Sequence, residues 1–88
     1  MRIETADPIN SNALQVSVYS ENQDELQSNA AVTVVQDELE KHPEYSEICY
    51  VGRGGNHVEV GTIKPSQFTI RSQHSTSEYH VVFMLKRD

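Results

Sequence analysis

Apolar and polar residues alternate in the first part of the chain. Leu14, Val16 and Val18 are each followed by a polar residue or a tyrosine. This period of two is typical of a strand that buries one of its faces. A loop over residues 6–12, which contains proline, asparagine, aspartate and serine, is predicted to precede the strand. Residues 2–5 are a candidate for one further short strand.

Helical spacing replaces the alternation after this strand. Ser20 and Gln23 are spaced as a capping box, in which the serine hydroxyl and the glutamine side chain satisfy free N–H groups at the start of a helix. Pro43 cannot continue a helix, because its nitrogen carries no hydrogen. The pattern therefore predicts one helix over about residues 22–42. Its apolar stripe consists of Leu26, Ala30, Val34, Val35 and Leu39.

The period of two returns after the helix and predicts two β-hairpins. The first joins residues 48–51 to residues 58–62 through a glycine-rich turn. The second joins residues 68–70 to residues 79–86 through a polar turn at residues 73–77. Because the last arm contains five consecutive apolar residues, we expect it to be covered on both faces and to lie centrally in the sheet.

Together these elements predict an α+β domain. One helix packs on a mostly antiparallel sheet of four to five strands, and the elements follow the order β-α-β-β-β-β. The whole chain, residues 1–88, is expected to form a single domain, because 88 residues are too few for two separate cores.

Negative charge is concentrated in the helical part of the chain. The formal net charge is −6; the segment 21–47 alone carries −7, whereas the segment 52–88 carries +2. This uneven distribution indicates an electrostatic interaction with a partner of opposite charge. The sequence shows no apolar run of the length found in membrane spans or secretion signals, and its one cysteine cannot form an internal disulfide. We therefore expect a cytoplasmic protein that does not bind membranes.

Motifs that carry catalytic or cofactor chemistry are missing from the sequence. There is no phosphate-binding loop, dinucleotide fingerprint or paired-carboxylate motif. Cys49 lies in a predicted strand between Ile48 and Tyr50, which favours a small buried residue over a nucleophile. We expect no enzyme activity, no cofactor and no metal site, since the histidines lack the local spacing of metal ligands. These histidines are His42, His57, His74 and His80.

The acidic helix gives the first functional hypothesis. Lys41 is the only basic residue in the stretch that contains its carboxylates. The like charges therefore repel one another unless a basic partner approaches. The alternative interpretation is a solvated face that keeps a small protein soluble. We expect Tyr45 to be an aromatic anchor beside the carboxylates. The predicted partner-binding residues are Asp37, Glu38, Glu40, Glu44, Tyr45 and Glu47.

In size and charge, and in no specific motif, the chain resembles the small acidic inhibitors that phages and plasmids direct against host nucleases. Anti-CRISPR and anti-restriction proteins are examples of this type. The resemblance implies a non-catalytic protein that docks on a basic, nucleic-acid-binding surface of a partner protein.

The glycine-rich turn gives a second hypothesis. Residues 51–56 resemble the Gly-x-x-Gly loop of KH RNA-binding domains, in which small residues let the backbone approach phosphates. A KH loop precedes a helix, whereas the alternation after residue 56 predicts a strand, so a plain hairpin turn is the preferred interpretation. The hypothesis is binding of RNA or single-stranded nucleic acid through the sheet and the Gly52–Gly55 loop, and the acidic charge ranks it below protein binding. Its predicted residues are Tyr50, Arg53, Gly54, Lys64, Phe68 and Arg71.

The second face of the sheet gives a third hypothesis. A single helix covers only one face, so Val82 and Met84 would be exposed if they lie on the other. A second copy of the chain is the simplest cover. The protein would then be a structural subunit, for example a homodimer, that self-associates through the uncovered face or an edge strand of the sheet.

Overall fold

Six antiparallel strands and two helices make up the part of the chain that the computed structural model describes, which is residues 1–7, 12–72 and 77–87. The α+β class with one main helix on the sheet is confirmed. The predicted turns at residues 6–12 and 73–77 lie mostly outside the described residues. The strands are β1 (Arg2–Ala6), β2 (Ala13–Ser20), β3 (Glu47–Val51), β4 (His57–Glu59), β5 (Arg71–Ser72) and β6 (Tyr79–Lys86). The helices are α1 (Gln23–Leu26) and α2 (Asn29–Glu40), and short 3-10 turns cover Val60–Thr62 and Pro65–Gln67.

Strand β6 lies in the middle of the sheet, as its apolar run predicts. The strand order is β1-β2-β6-β3-β4, and β5 also pairs with β6. On one side β2 pairs with β6 along its whole length. On the other side β3 pairs with residues 83–86 of β6, and β5 pairs with residues 79–80. Residues 81–85 are all buried, so both faces of the central strand are covered.

The core lies between one face of the sheet and the helices. Phe68, from the segment that precedes β5, packs edge-on against Phe83 of β6 with ring centroids 5.4 Å apart. Each fully buried side chain of this size stabilises a fold by about 1.5–3 kcal/mol. The cluster consists of Leu14, Val16, Val18, Leu26, Ala31, Val35, Tyr50, Phe68, Val81, Phe83 and Leu85.

The helix predicted over residues 22–42 is divided into α1 and α2. Ser28 caps α2, because its hydroxyl accepts a hydrogen bond from the Ala30 N–H and donates one to the Glu25 carbonyl. The Gln27 side chain donates to the Phe68 carbonyl at 2.9 Å. Polar side chains that bond to the backbone in this way compete with helix continuation.

The predicted start of the helix also differs from the structure. Asn22 is the N-cap of α1, because its side-chain oxygen accepts from the Asp24 N–H. The Ser20 hydroxyl instead accepts from the Asn22 N–H at 3.0 Å and donates to the Glu25 carboxylate at 3.2 Å. Ser20 thus orders the turn before the helix, and the capping box predicted from Ser20 and Gln23 does not form.

The two predicted hairpins are shorter than the sequence pattern indicates. Strand β4 ends at Glu59, and residues 60–62 form a 3-10 turn in which the Thr62 hydroxyl donates to the Glu59 carbonyl at 2.8 Å. Pro65 begins the next 3-10 turn, where a residue without an N–H is tolerated. As a result Phe68 and Ile70 precede β5 instead of forming its ladder with β6.

The sheet face opposite the helices is covered within the monomer. Val82 and Met84 are in register with Ser17 and Cys49 on this face, as the third hypothesis supposed. Their exposed fractions are only 7% and 8%, however. Among the described residues, Met1 is the only large apolar residue that is exposed. Self-association through this face would therefore have no exposed apolar patch among the described residues.

The division of the helix predicts the sign of one substitution. Ser28→Ala removes the hydroxyl that caps α2, so we expect the free energy of unfolding to fall by about 1 kcal/mol. In a continuous helix the same change would stabilise the protein, because alanine has the higher helix propensity. Ser28→Asn restores a capping acceptor and is the control, with stability close to that of the unchanged protein. Urea denaturation measures all three, and a more stable Ser28→Ala protein would contradict the division.

Candidate functional site

The C-terminal half of α2 carries the carboxylates that are most open to a partner. Asp37 and Glu40 are exposed and lie three residues apart, which makes them neighbours on the helix surface. Neither forms an ion pair with any residue that the structure describes. Glu44 follows the helix in a turn, and its side chain is 45% exposed. We call Asp37, Glu40 and Glu44 the acidic surface.

Glu38 holds the end of the helix instead of facing a partner. Its side chain is only 14% exposed. One carboxylate oxygen lies 3.0 Å from His42 Nε2, and the other lies 3.8 Å from Lys41 Nζ. The other ring nitrogen of His42 is 3.7 Å from Glu44 Oε1. His42 therefore lies between Glu38 and Glu44 at the end of α2.

Tyr45 is largely engaged by its own chain. Its N–H donates to the His42 carbonyl at 3.1 Å, which closes the turn after α2. The ring is half-buried against the core, and the Arg87 guanidinium lies 5.7 Å from its centroid. Tyr45 thus supports the turn that presents Glu44, and only part of its ring is open to a partner.

Glu47 lies apart from the acidic surface. It is the first residue of β3, in register with Lys86, and its carboxylate accepts a hydrogen bond from the Cys49 thiol at 3.3 Å. Cys49 is buried on the sheet face opposite the helices. Burial raises the pKa of the Cys49 thiol, and the hydrogen bond to Glu47 raises it further. The structure therefore brings Asp37, Glu38, Glu40 and Glu44 together and leaves Glu47 at the edge of the sheet.

The aromatic residues of the nucleic-acid hypothesis are part of the core. Tyr50 is 3% exposed and Phe68 is 1% exposed, with ring centroids 4.7 Å apart. The Tyr50 hydroxyl accepts a hydrogen bond from the Thr69 N–H at 2.6 Å. Base stacking requires an exposed ring face, so neither residue can stack on a nucleotide in this structure. The alternation that suggested exposed positions could not show which face the helices cover.

The remaining residues of that hypothesis do not converge on one site. Arg53, Gly54 and Lys64 are exposed, whereas the Arg71 guanidinium donates to the Gly52 carbonyl at 3.0 Å. Arg71 thus connects the glycine-rich loop to β5, and its guanidinium group is engaged within the fold.

The glycine-rich loop is a hairpin turn between β3 and β4. The Gly55 N–H donates to the Gly52 carbonyl at 2.9 Å, and the Gly52 N–H donates to the Asn56 carbonyl at 2.8 Å. Gly55 has a φ of +82°, a conformation that residues with a side chain rarely adopt. The segment after the loop is a strand, so the resemblance to a KH loop does not extend to the helix that a KH domain requires.

A charged cluster at the β1 edge was not predicted from the sequence. The Arg2 guanidinium forms ion pairs of 2.6 Å with both Glu4 and Glu78, and lies 4.2 Å from the centre of the Tyr19 ring. Tyr19 in turn stacks on His80 at 5.2 Å. Arg2 and Glu78 are 76 residues apart, so only the strand order brings them together. This cluster covers the second face of the sheet beside Tyr19.

Neither a metal site nor a membrane-spanning helix is found in the part of the chain that the structure describes. No group of three or more histidine, cysteine, aspartate or glutamate side chains in residues 1–7, 12–72 and 77–87 is arranged to hold a metal ion. Within the same ranges, no helix has the length and apolar character needed to cross a membrane. Comparisons with protein families, with curated proteins and with solved structures find no match to this chain.

The glycine loop predicts unequal effects for two neighbouring substitutions. Gly55→Ala forces a side chain into the left-handed region, and we expect it to lower the free energy of unfolding by about 1 kcal/mol. Gly54→Ala is the matched control, because Gly54 has no positive φ and an added methyl group meets only ordinary contacts. Urea denaturation measures both proteins. Equal losses of stability would show that Gly55 is not held at a positive φ.

His80 predicts a pH dependence of stability. Burial lowers the pKa of His80, and the charge of the neighbouring Arg71 lowers it further. The folded state therefore favours the neutral ring. The resulting stability is present above the ordinary histidine pKa and is lost as the pH falls through the lowered one. We expect His80→Gln to flatten the decrease in stability from about pH 8 to about pH 5.

The comparison for this prediction is His57→Gln, which removes an exposed histidine. The stability of His57→Gln should decrease as the pH falls, and as steeply as that of the unchanged protein. Urea denaturation at several pH values gives the slopes, and equal slopes for the two variants would refute the role of His80.

Proposed function

We propose that the protein is a non-catalytic binding module that docks through its acidic surface on a basic, nucleic-acid-binding surface of a partner protein. The observation that carries the proposal is the pair Asp37 and Glu40, which are exposed on the main helix and have no cationic partner among the described residues. An inhibitor of the phage or mobile-element type, which blocks a host nuclease by occupying its nucleic-acid site, is the kind of protein that this arrangement fits.

The position of these carboxylates favours binding over a purely solvating role. Ala31 and Val35 are fully buried, so α2 is fixed against the sheet and the positions that carry its outer charges are fixed with it. Because the backbone of α2 is already ordered, partner binding restricts only the side chains of these carboxylates. Charges of one sign on a rigid surface also accelerate association with a basic partner, and this effect weakens as the salt concentration rises.

The surroundings of the acidic surface divide the predicted residues into two roles. Asp37, Glu40 and Glu44 would contact the partner. Glu38 and Tyr45 would position that contact, because Glu38 orients His42 and Tyr45 closes the turn that carries Glu44. The proposal assigns this activity to the cytoplasm, since the one cysteine of the chain is a free thiol.

The structure supports the other two hypotheses less well. Nucleic-acid binding would depend on Arg53 and Lys64 without the aromatic rings of Tyr50 and Phe68, which are buried. Self-association through the sheet face would need exposed apolar side chains, and Val82 and Met84 are covered.

The proposal is tested by affinity capture from a lysate of the source organism. The triple variant Asp37→Asn, Glu40→Gln, Glu44→Gln reduces the net charge from −6 to −3 without changing the size of any side chain appreciably. We expect it to lose the protein partner that the unchanged chain captures at low salt, because the attraction comes from these charges. Nuclease treatment of the lysate should leave the captured partner unchanged.

A second triple variant with the same net charge is the matched control. Asp7→Asn, Glu21→Gln and Asp24→Asn remove three exposed carboxylates that lie outside the acidic surface. This control should capture the partner as the unchanged protein does. Equal capture by the first triple variant would refute the proposal, and loss of capture on nuclease treatment would favour nucleic-acid binding instead.

A further inference from the structure

A groove of about 320 Å³ lies where α2 passes the outer edge of β3. Gln36 and Leu39 of α2 form one wall, residues 46–48 form the second, and residues 59–61 form the third. Within the described part of the chain, the ladder between β3 and β4 ends at the pair Cys49–Glu59, so residues 46–48 have no strand beside them on this side. The groove therefore occupies the place that a longer β4 would fill.

The groove combines an apolar floor with an acidic rim. Leu39, Ile48 and Val60 are partly buried and pack against the core, which leaves the rest of their surface to the groove. Glu47 and Glu59 also line it, and the strand register places their side chains on the sheet face opposite the helices. An apolar floor beside carboxylates matches a side chain that has an aliphatic stem and a cationic head.

Both glutamates of the rim are neighbours of Cys49. Glu47 accepts a hydrogen bond from the Cys49 thiol, and Glu59 is the cross-strand neighbour of Cys49. Both carboxylates act on the same thiol, since each raises the pKa of Cys49 while Lys86 lowers it. Lys86 faces Glu47 from β6, on the side away from β4, and no ion pair joins the two residues. The rim is thus left with more negative charge than Lys86 offsets.

We propose that this groove receives an arginine side chain of the partner protein. The aliphatic part of the arginine packs on Leu39, Ile48 and Val60 and passes the open edge of β3, and the guanidinium group lies between Glu47 and Glu59 on the other side of the sheet. A guanidinium carries several N–H donors in a fixed plane, so it can bond to two carboxylates at once. The inference rests on the proposed function, because it names the chemical group by which the basic partner is recognised.

The groove is continuous with the acidic surface. Gln36 lines the groove, and Glu40 lies one helical turn further along the same side of α2. A basic partner surface that meets Glu40 therefore reaches the mouth of the groove. This arrangement gives Glu47 the contact role that the sequence predicted, at the edge of the sheet.

The test is an NMR titration of the ¹⁵N-labelled protein with the blocked peptide acetyl-Gly-Arg-Gly-amide at low ionic strength. We expect saturable shifts of the backbone amides of residues 36–39, 46–48 and 59–61. The same peptide with citrulline, a neutral isostere of arginine, should bind at least about tenfold more weakly, because it lacks the charge. The double variant Glu47→Gln, Glu59→Gln should weaken binding of the arginine peptide by a similar factor.

The triple variant of the acidic surface separates this inference from the proposed function. Asp37→Asn, Glu40→Gln, Glu44→Gln should bind the arginine peptide within about threefold of the unchanged protein, since these carboxylates act on the groove only from a distance. Absence of shifts, shifts centred elsewhere, or unchanged binding in the Glu47→Gln, Glu59→Gln protein would overturn the inference. The proposed function is judged separately, by partner capture with the triple variants, and it fails if that capture is unaffected.

Discussion

The fold depends on one strand that is buried on both faces. β6 pairs with β2 along its full length and with β3 and β5 on its other side, so three strands share it as a neighbour. Its residues Val81, Phe83 and Leu85 face the helices, while Val82 and Met84 are covered on the opposite face. A polar side chain at any of these positions would need a hydrogen-bond partner that the core does not offer. The acidic surface and the groove are both fixed to this sheet.

Much of the architecture could be predicted from the sequence because its strongest signals are local. The five consecutive apolar residues of β6 indicate a central strand, and the alternation of Leu14, Val16 and Val18 indicates one buried face. The division of the helix could not be predicted in this way. Ser28 caps α2 locally. Gln27 also bonds to the Phe68 carbonyl, which lies 41 residues further along the chain, so tertiary structure helps to hold the break. The buried position of Tyr50 also depends on tertiary structure, because its hydroxyl accepts a hydrogen bond from the Thr69 N–H.

The residues of the candidate site could likewise be grouped from the sequence only where they are close along the chain. Asp37 and Glu40 could be grouped from the sequence, because helical spacing alone makes them neighbours. Glu47 and Glu59 are 12 residues apart on different strands, and only the register of β3 and β4 makes both of them neighbours of Cys49. Spacing could not reveal that the β4 ladder stops at Glu59, nor that a groove opens beyond it. The exposed charges of the helix could therefore be found from the sequence, whereas the groove beside them could not.

The order of the strands constrains how the chain can fold as it leaves the ribosome. β6 is the last strand along the described sequence, yet it separates β2 from β3 in the sheet. Until residues 79–86 have been synthesised, β2 can pair only with β1, and β3 only with β4. The apolar faces of these two hairpins then have no permanent cover, and such surfaces promote aggregation and attract chaperones. The sheet can therefore close only after its final strand has been translated, when segments distant in the chain come together.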